Sequence, residues 1–253
     1  MNIIINADDF GANDGFNAAV ERAYLAGCLN SASLMVDAPR AKAAATLAAR
    51  HPGLAVGLHV DLKYGTLFMM FWGFFATKSL RRYAEKKLRE QIETAKKLGL
   101  KKLSHLDSHR YGHMVPAVFN VFVRVAAEYG IPRVRVMNEN FFRSFWNIKS
   151  LRCIPNLGFL KCFGTWCGWV LNGAKASSYY YGLTYSGELF GRNLRRLSVP
   201  KKYDTLEIGF HPSAFIDKTG GTIGLDDAFY QSENRVHEFD ALMNPDWLEN
   251  VTY

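Results

Sequence analysis

Two adjacent carboxylates, Asp8 and Asp9, follow the apolar run of residues 1–5. The run predicts a buried strand, and Gly11 together with residues 13–15 predicts a turn and a helix start. Neighbouring carboxylates repel each other, so in a dry site the pair favours a bound cation or a proton. Taken alone, the pair is explained as well by a helix cap plus a solvated acid as by a catalytic site.

Histidines stand at the ends of other strand-like runs. His59 closes the run 54–60, His211 closes 205–211, and His105, Asp107 and His109 alternate at the end of a third run. Because the carboxyl ends of parallel strands meet at one edge of a sheet, we expect these side chains to approach the two acids.

One carboxylate with two imidazoles suits zinc or another divalent ion. A spare carboxylate can then take a proton from water, and a histidine on the far side can protonate a leaving amine. For any single histidine, a hydrogen-bonded structural role is the simpler interpretation. The joint placement of acids and histidines at separate strand ends favours a metal site.

The elements that position these residues alternate along the chain. The apolar pattern predicts strands at 2–7, 31–36, 54–60, 103–107, 133–137 and 205–211. It predicts helices near 14–26, 39–50, 80–98, 115–129, 186–197 and 232–243. Such alternation is typical of parallel β/α units, in a barrel or a doubly wound sheet.

Residues 138–180 interrupt this rhythm with aromatic residues, glycines and cysteines. Loops at the carboxyl ends of strands carry specificity in β/α folds, so we expect an aromatic-rich insertion over the active site. Nothing in the composition marks a linker, and the simplest prediction is a single domain over residues 1–253.

The composition limits the class of protein. The chain has 253 residues, 49% hydrophobic and 21% charged, which is typical of a globular protein. The net charge of +8 comes from short scattered groups of lysine and arginine without a nucleic-acid motif, so no nucleic-acid partner is expected. Four cysteines are too few for a disulfide scaffold and lack zinc-ribbon spacing. With reduced thiols and no secretory signal at residue 1, a cytoplasmic location is expected.

Two stretches, 67–76 and 158–171, are unusually apolar. The first is far shorter than the roughly 20 residues that a membrane span needs, and Lys161 interrupts the second. We therefore expect no transmembrane helix. Packing in the core, a hydrophobic substrate cleft and a patch in peripheral contact with a membrane remain three alternatives. Exposed aromatic surface would also be compatible with a homodimer.

Four ordered motifs carry a family resemblance. They read Asn6-Ala-Asp8-Asp9-Phe-Gly11, Gly57-Leu-His59, His105-Leu-Asp107-Ser-His109-x-x-x-His113-Met-x-Pro116 and His211-Pro-x-Ala-Phe-Ile. The chain resembles the YdjC/ChbG-like carbohydrate deacetylases from residue 1 to about residue 240, most weakly across 138–180. The resemblance implies a distorted (β/α) TIM-like barrel. It also implies metal-dependent removal of the N-acetyl group from an N-acetylated saccharide, releasing acetate.

The resemblance assigns roles residue by residue. Asp9, His59 and His109 match the metal ligands of the family, and Asp8 matches the general base that activates water. His211 stands where the acid for the departing amine is expected. One divalent ion is implied: magnesium or zinc first, with manganese, cobalt or nickel as alternatives.

Other positions have supporting roles or depart from the family pattern. Arg135 is a candidate partner of Asp8. Three further residues are expected to orient the ligands or to contact the substrate: His105, Asp107 and His113. Relatives commonly read Asp-Ser-His-His-His-x-His, but Arg110 and Tyr111 fill the two central places here. Tyr111 can bond a sugar hydroxyl but cannot replace an imidazole. The departure therefore bears on the choice of substrate.

Other classes of function stay open at this point. The same metal site could hydrolyse another amide or a phosphate ester, or serve a barrel isomerase. The aromatic segments and the basic balance would also fit a non-catalytic protein associated with sugar or membrane. Within the deacetylase interpretation, the saccharide could be lipid-linked, with the protein peripheral to the inner face of the membrane.

Overall fold

The computed structural model describes residues 1–154, 157–171, 176, 178–217 and 227–252. Six parallel strands in these residues form one sheet in the order β4-β3-β2-β1-β6-β5. The strands are β1 (Asn2–Phe10), β2 (Ser31–Leu34), β3 (Ala55–Val60), β4 (Leu106–Ser108), β5 (Tyr179–Tyr181) and β6 (Thr205–Phe210).

Helices connect the strands. They are α1 (Asp14–Leu25), α2 (Ala41–Arg50), α3 (Thr66–Lys97), α4 (Pro116–Glu128), α5 (Phe141–Ile148), α6 (Gly158–Leu171), α7 (Arg192–Arg195), α8 (Asp227–Tyr230) and α9 (Asn234–Met243). Short 3₁₀ helices cover His109–Met114, Leu151–Cys153 and Pro245–Asn250. The predicted alternation of strands and helices is confirmed for the first half of the chain.

The strands alternate between polar residues on one face and apolar residues on the other, as the period of two requires. Ile5, Ala7 and Leu58 belong to the large hydrophobic core. Asn6 and Ser33 on the other face are buried and joined by a hydrogen bond of 3.0 Å. The sheet therefore encloses a polar interior, where the chemistry-bearing side chains meet.

The segment after α4 joins the two edges of the curled sheet. The amide of Leu106 in β4 donates to the carbonyl of Arg133, and the Asn138 side chain accepts from the amide of Tyr180 in β5 at 2.8 Å. This link between edges fits an α/β fold of the distorted-barrel kind. The predicted strand 133–137 is wrong as a regular strand, because it forms one isolated bridge, from Val134 to Leu106.

Two predicted helices have different bounds. The helix predicted at 80–98 begins already at Thr66 and is kinked at Ala76. Of the helix predicted at 186–197, only α7 forms. The chain before α7 is held by a side chain instead of by helical hydrogen bonds: the Glu238 carboxylate accepts from the amide of Leu189 at 2.8 Å.

The aromatic-rich region 138–180 contains α5, α6 and the start of β5. The strand was not predicted because three consecutive tyrosines give no alternating pattern. The last residues of the region are therefore part of the sheet. That the rest is an insertion within a single domain stays a prediction.

Candidate active site

Asp9, His59 and His109 meet at the carboxyl edge of the sheet. Asp9 Oδ1 lies 3.3 Å from His59 Nε2 and 3.1 Å from His109 Nδ1. The other oxygen, Asp9 Oδ2, is buried and has no hydrogen-bond partner among the described residues. A buried carboxylate oxygen without a partner is costly, so this atom marks a place for a cation or a donor.

The backbone of β1 changes direction at Asp9. The residue has a φ of 59°, in the left-handed region, and the register with β2 shifts between Ala7 and Phe10. Such a bulge re-aims a side chain beside an active site. It brings the Asp9 carboxylate to the same edge as its neighbour Asp8.

His59 is held by a carboxylate on its far side. Asp107 Oδ1 lies 2.8 Å from His59 Nδ1, which leaves Nε2 facing Asp9. Burial alone would lower the pKa of His59, but Asp107 and Asp8 outweigh it and raise that pKa well above its usual value. The pocket therefore attracts positive charge at this ring.

The pKa of Asp9 shifts the opposite way. Burial alone would raise it, but the charge of His109 and the hydrogen bonds to His109 and His59 hold it well below its usual value. Asp9 is thus an ionised carboxylate at neutral pH, as a metal ligand must be.

Asp8 is bound by a buried guanidinium. Arg135 Nη1 lies 2.9 Å from Asp8 Oδ1 and 2.5 Å from Asp107 Oδ2, while Nε donates to Glu207 at 2.8 Å. The predicted pairing of Arg135 with Asp8 is present in the structure. Burial would lower the pKa of Arg135, but the three carboxylates outweigh it and raise that pKa well above its usual value. The guanidinium therefore stays charged and fixes the orientation of Asp8.

His211 faces Asp8 from the end of β6, with Nε2 3.9 Å from Asp8 Oδ2. Its backbone is held from both sides: Glu238 accepts from the amide at 2.6 Å, and Arg235 donates to the carbonyl at 3.1 Å. Burial lowers the pKa of His211 to about 4, so the free imidazole is neutral at neutral pH.

His105 and His113 lie inside the barrel, away from the cavity. The His105 ring is bonded to Ser33 Oγ and Ser104 Oγ, and the His113 ring is bonded to Ser108 Oγ and the carbonyl of Arg135. Burial lowers their pKa values to about 3 and about 4, so both are neutral. Neither residue lines the cavity, so of the two expected roles the orienting one fits their position better, and it stays a prediction.

Arg110 and Tyr111, the two departures from the family pattern, line the cavity. Both have positive φ, 55° and 60°, in a turn directly after His109. The Tyr111 hydroxyl donates to Ser186 Oγ at 2.6 Å, and burial raises its pKa, so the phenol stays protonated. It is placed to offer an oxygen to a ligand in the cavity.

The cavity has a volume of about 380 Å³, within the range of small-molecule sites. Its polar floor contains Asp8, Asp9, His59, His109 and His211. Its apolar wall comes from Met70 in the first turns of α3, from Leu160 in α6 and from Leu157, directly before α6. The cavity therefore combines a floor of carboxylates and imidazoles with an apolar wall.

The donor set fits a divalent cation. The triple Asp9, His59 and His109 offers three ligand atoms that lie within 4.8 Å of one another. Mixed carboxylate and imidazole ligands suit zinc and several other divalent metals. The unpartnered Asp9 Oδ2 favours such an ion.

A second group of possible ligands, Asp8, His59 and Asp107, meets the same distance criterion. Here Arg135 already lies within 3 Å of both carboxylates and neutralises them. The first triple is therefore the better candidate for a metal, and the residues favour one ion rather than two.

Several buried residues of the site were not predicted from the sequence: Ser33, Glu207, Arg235 and Glu238. A weak signal existed for two of them, since Ser33 and Glu207 are polar residues within otherwise apolar strands. Such a residue at an inward position of a parallel strand indicates a partner inside the sheet.

Comparison with known proteins agrees with this geometry. The profile of the YdjC-like protein family matches residues 2–252. A chitooligosaccharide deacetylase of Escherichia fergusonii is 30% identical over 231 residues, covering 86% of this chain and 83% of that protein. A carbohydrate deacetylase of Mus musculus is 26% identical over 97% of this chain and 89% of that protein.

Other relatives match over a shorter stretch. A carbohydrate deacetylase of Brevibacillus brevis is 34% identical over 145 residues, which cover 52% of this chain. The match spans only 58% of the length of that relative.

The fold is shared with a solved structure. A crystal structure of an Enterococcus faecalis V583 protein, to which cellobiose-phosphate cleavage has been attributed, superposes with a TM-score of 0.63 at 20% identity. The superposition covers 98% of this chain and 93% of that one. On the match over nearly its whole length, the chain belongs to the YdjC-like protein family.

Proposed function

We propose that this protein is a metal-dependent deacetylase that hydrolyses the N-acetyl group of an N-acetylated amino sugar or oligosaccharide. The relatives named carbohydrate or chitooligosaccharide deacetylase support this reaction. The observation that supports it most directly is that two adjacent acids on the cavity floor have different partners. Asp9 lies between two imidazoles, while Asp8 is free of them and held by Arg135.

The residues divide into a metal-holding set and a proton-moving set. Asp9, His59 and His109 would hold the divalent ion, which when bound polarises the amide carbonyl and acidifies water. Asp107 keeps His59 in the tautomer that presents Nε2 to the ion. Magnesium or zinc is the first expectation from the ligand types.

Asp8 is the proposed general base. Its carboxylate lines the cavity, and Arg135 and Asn6 donate hydrogen bonds to it at 2.9 and 2.7 Å, which fix its orientation. It takes one proton from the water whose oxygen bonds to the acetamide carbon.

His211 is the proposed acid for the amine. Because its free imidazole is neutral, the proton it donates has to arrive during the reaction. Asp8 Oδ2 lies 3.9 Å from His211 Nε2, so the proton taken from water can pass to the ring and then to the sugar nitrogen. The C–N bond breaks, and acetate and a free amine leave.

The remaining cavity residues suit a sugar. The Tyr111 hydroxyl and Ser186 lie together at the wall, where they can bond ring hydroxyls. Hydrolysis of a phosphate ester by two metals is less favoured, because Arg135 fills the place next to Asp8 that a second ion would need.

The test measures acetate release from N-acetylglucosamine oligomers after the protein is stripped of metal and reloaded with magnesium, zinc, manganese, cobalt or nickel. We expect turnover that depends on the metal. Asp8→Asn should lower kcat at least about 100-fold, the usual contribution of a general base. Asp14→Asn, which removes a half-exposed carboxylate from the start of α1, is the matched control and should change kcat less than about twofold.

Two results would contradict the proposal. One is the lack of acetate release from any acetylated saccharide by a folded, metal-loaded protein. The other is full activity of Asp8→Asn, because among the described residues that line the cavity Asp8 is the one carboxylate outside the metal-holding set.

A further inference from the structure

Exposed aromatic side chains lie on the same two segments of the chain that form the apolar wall of the cavity. Of twenty large apolar side chains that are exposed in the described residues, sixteen lie in residues 64–75 and 142–171. Phe74 is 83% exposed and Trp146 is 70% exposed. We call the exposed apolar side chains of these two segments the apolar face. Apolar patches of this kind mark interaction surfaces rather than ordinary protein surface.

The two segments meet at the wall of the cavity. A Cβ added at Gly164 in α6 would lie 3.8 Å from the sulfur of Met70 in α3, which is ordinary van der Waals contact, and both residues line the cavity. Aromatic rings follow one another along α6, with centroids 6.3 Å apart for Phe159 and Phe163 and 6.0 Å apart for Phe163 and Trp166. The apolar face therefore borders the cavity on its α3 side and on its α6 side.

Each segment, taken together with the residues that flank it, carries only positive charge. Residues 62–84 contain four basic residues and residues 140–187 contain five, whereas neither range contains an acidic residue. The chain has 23 acidic residues, so all of them lie elsewhere. Lys78, Arg82 and Lys149 are exposed. Aromatic side chains bordered by cations are the pattern that binds the interface of an anionic bilayer.

The apolar face continues into the catalytic cavity. Leu157, directly before α6, and Leu160 in α6 are each about half exposed at the surface and also line the cavity. An apolar chain lying on this face would thus lead directly to the catalytic groups. Among the described residues, no helix is both long and apolar enough to cross a membrane.

We propose that the apolar face docks on the surface of a bilayer containing anionic lipids, with the cavity facing the lipid. If the protein is the proposed deacetylase, on which this step rests, the substrate is an N-acetylated sugar carried by a lipid in that bilayer. The apolar wall takes the first part of the lipid, and the polar floor takes the acetamide. A second copy of the chain is a poorer occupant, because a two-fold interface would place this basic face against itself.

The docking test uses sedimentation with phosphatidylcholine vesicles, with and without 30 mol% phosphatidylglycerol. We expect binding to the anionic vesicles, at least tenfold weaker binding to the neutral ones, and a further decrease at high salt. The double variant Phe74→Glu/Trp146→Glu should bind anionic vesicles at least tenfold more weakly. Leu25→Glu is the matched control, since Leu25 is 67% exposed at the end of α1, on the opposite end of the sheet.

Charge is tested in the same way. Lys78→Gln/Arg82→Gln should weaken binding several-fold, whereas Lys101→Gln/Lys102→Gln, which removes two exposed lysines before β4, should leave it unchanged. Thermal unfolding shows that each variant is folded. Three results would overturn the docking proposal: no binding at low salt, equal loss in the control variants, or a stable dimer that buries the face.

The substrate is tested by comparing acetate release from N-acetylglucosamine linked to a dialkylglycerol in anionic vesicles with release from soluble chitobiose. We expect kcat/KM at least tenfold higher for the lipid-linked probe. Equal or higher kcat/KM on the soluble sugar would overturn the lipid-carried substrate while the deacetylase proposal stands. Vesicle binding without acetate release from either probe would overturn the deacetylase proposal and leave the docking intact.

Discussion

Gly57 in β3 has no room for a side chain, so Gly57→Ala should destabilise the protein. A Cβ at this position would lie 2.4 Å from Cε1 and Nε2 of the His105 ring. The ring cannot move aside freely, since its two nitrogens are 2.9 Å from Ser33 Oγ and 2.8 Å from Ser104 Oγ. Gly57→Ala must therefore displace the ring by about 1 Å to reach ordinary van der Waals contact.

The expected loss follows from these contacts. Overpacking in a buried site costs about 1–3 kcal/mol. Breaking a buried hydrogen bond without replacement costs about 1–3 kcal/mol more. We expect Gly57→Ala to lower the free energy of unfolding by about 3 kcal/mol, measured by urea unfolding with circular dichroism. Gly65→Ala is the matched control, because Gly65 has a φ of −65° and no atom within 4 Å of an added Cβ.

A double-mutant cycle identifies the ring as the cause. In a His105→Ala background the obstacle is gone, so adding Gly57→Ala should cost at least about 2 kcal/mol less than in the wild type. A loss below about 0.5 kcal/mol for Gly57→Ala would refute the reasoning. The same loss with and without the His105 ring would refute it as well, since strain in the strand itself would then be responsible.

Two further predictions concern the buried charges. His113 has a pKa lowered to about 4 by burial, against about 6.5 when unfolded, so the unfolded state binds more protons between these values and stability falls as the pH decreases. Between pH 7 and pH 5 the His113 ring should lower the free energy of unfolding by about 2 kcal/mol. His113→Gln should therefore reduce the pH dependence of the free energy of unfolding, measured with urea, by that amount. An unchanged pH dependence would contradict the lowered pKa of His113. Arg135→Met should destabilise the protein by about 3–5 kcal/mol because it leaves buried carboxylates unpaired. Arg124→Met, which breaks an exposed ion pair, should cost much less than Arg135→Met, and similar losses for the two variants would contradict this reasoning.

The site residues could be predicted because the end of a strand is visible in the local sequence. β1, β3 and β6 are apolar runs that stop at acids or histidines, and parallel strands bring their carboxyl ends to one edge. Joint placement of Asp9, His59 and His109 therefore followed from the pattern and the resemblance without any knowledge of long-range packing.

What holds these residues in place could not be predicted. Glu207 and Glu238 act through partners 72 and 27 residues away in sequence. The apolar strand around Glu207 indicates only that it has a buried partner, and nothing local distinguishes Glu238 from a surface acid. The first half of α3 was missed for a related reason. Its aromatic residues occupy the exposed face as well as the buried one, so the run shows no helical period. These exposed aromatic side chains, which prevented the prediction of the helix, are also the ones that indicate an external partner.

The two acids at the end of β1 show how one backbone torsion creates two chemical roles. In a regular strand, successive side chains point to opposite faces, so Asp8 and Asp9 could not both reach the polar interior. The φ of 59° at Asp9 breaks that alternation. Aspartate adopts the left-handed region at less cost than most residues, which favours it over glutamate or a bulkier ligand at this position. With Asp8 held by Arg135 and Asp9 held between two imidazoles, the adjacent carboxylates have different partners despite being neighbours. Repulsion between them is then offset by separate positive groups, and the pair can serve a base and a metal ligand at the same time.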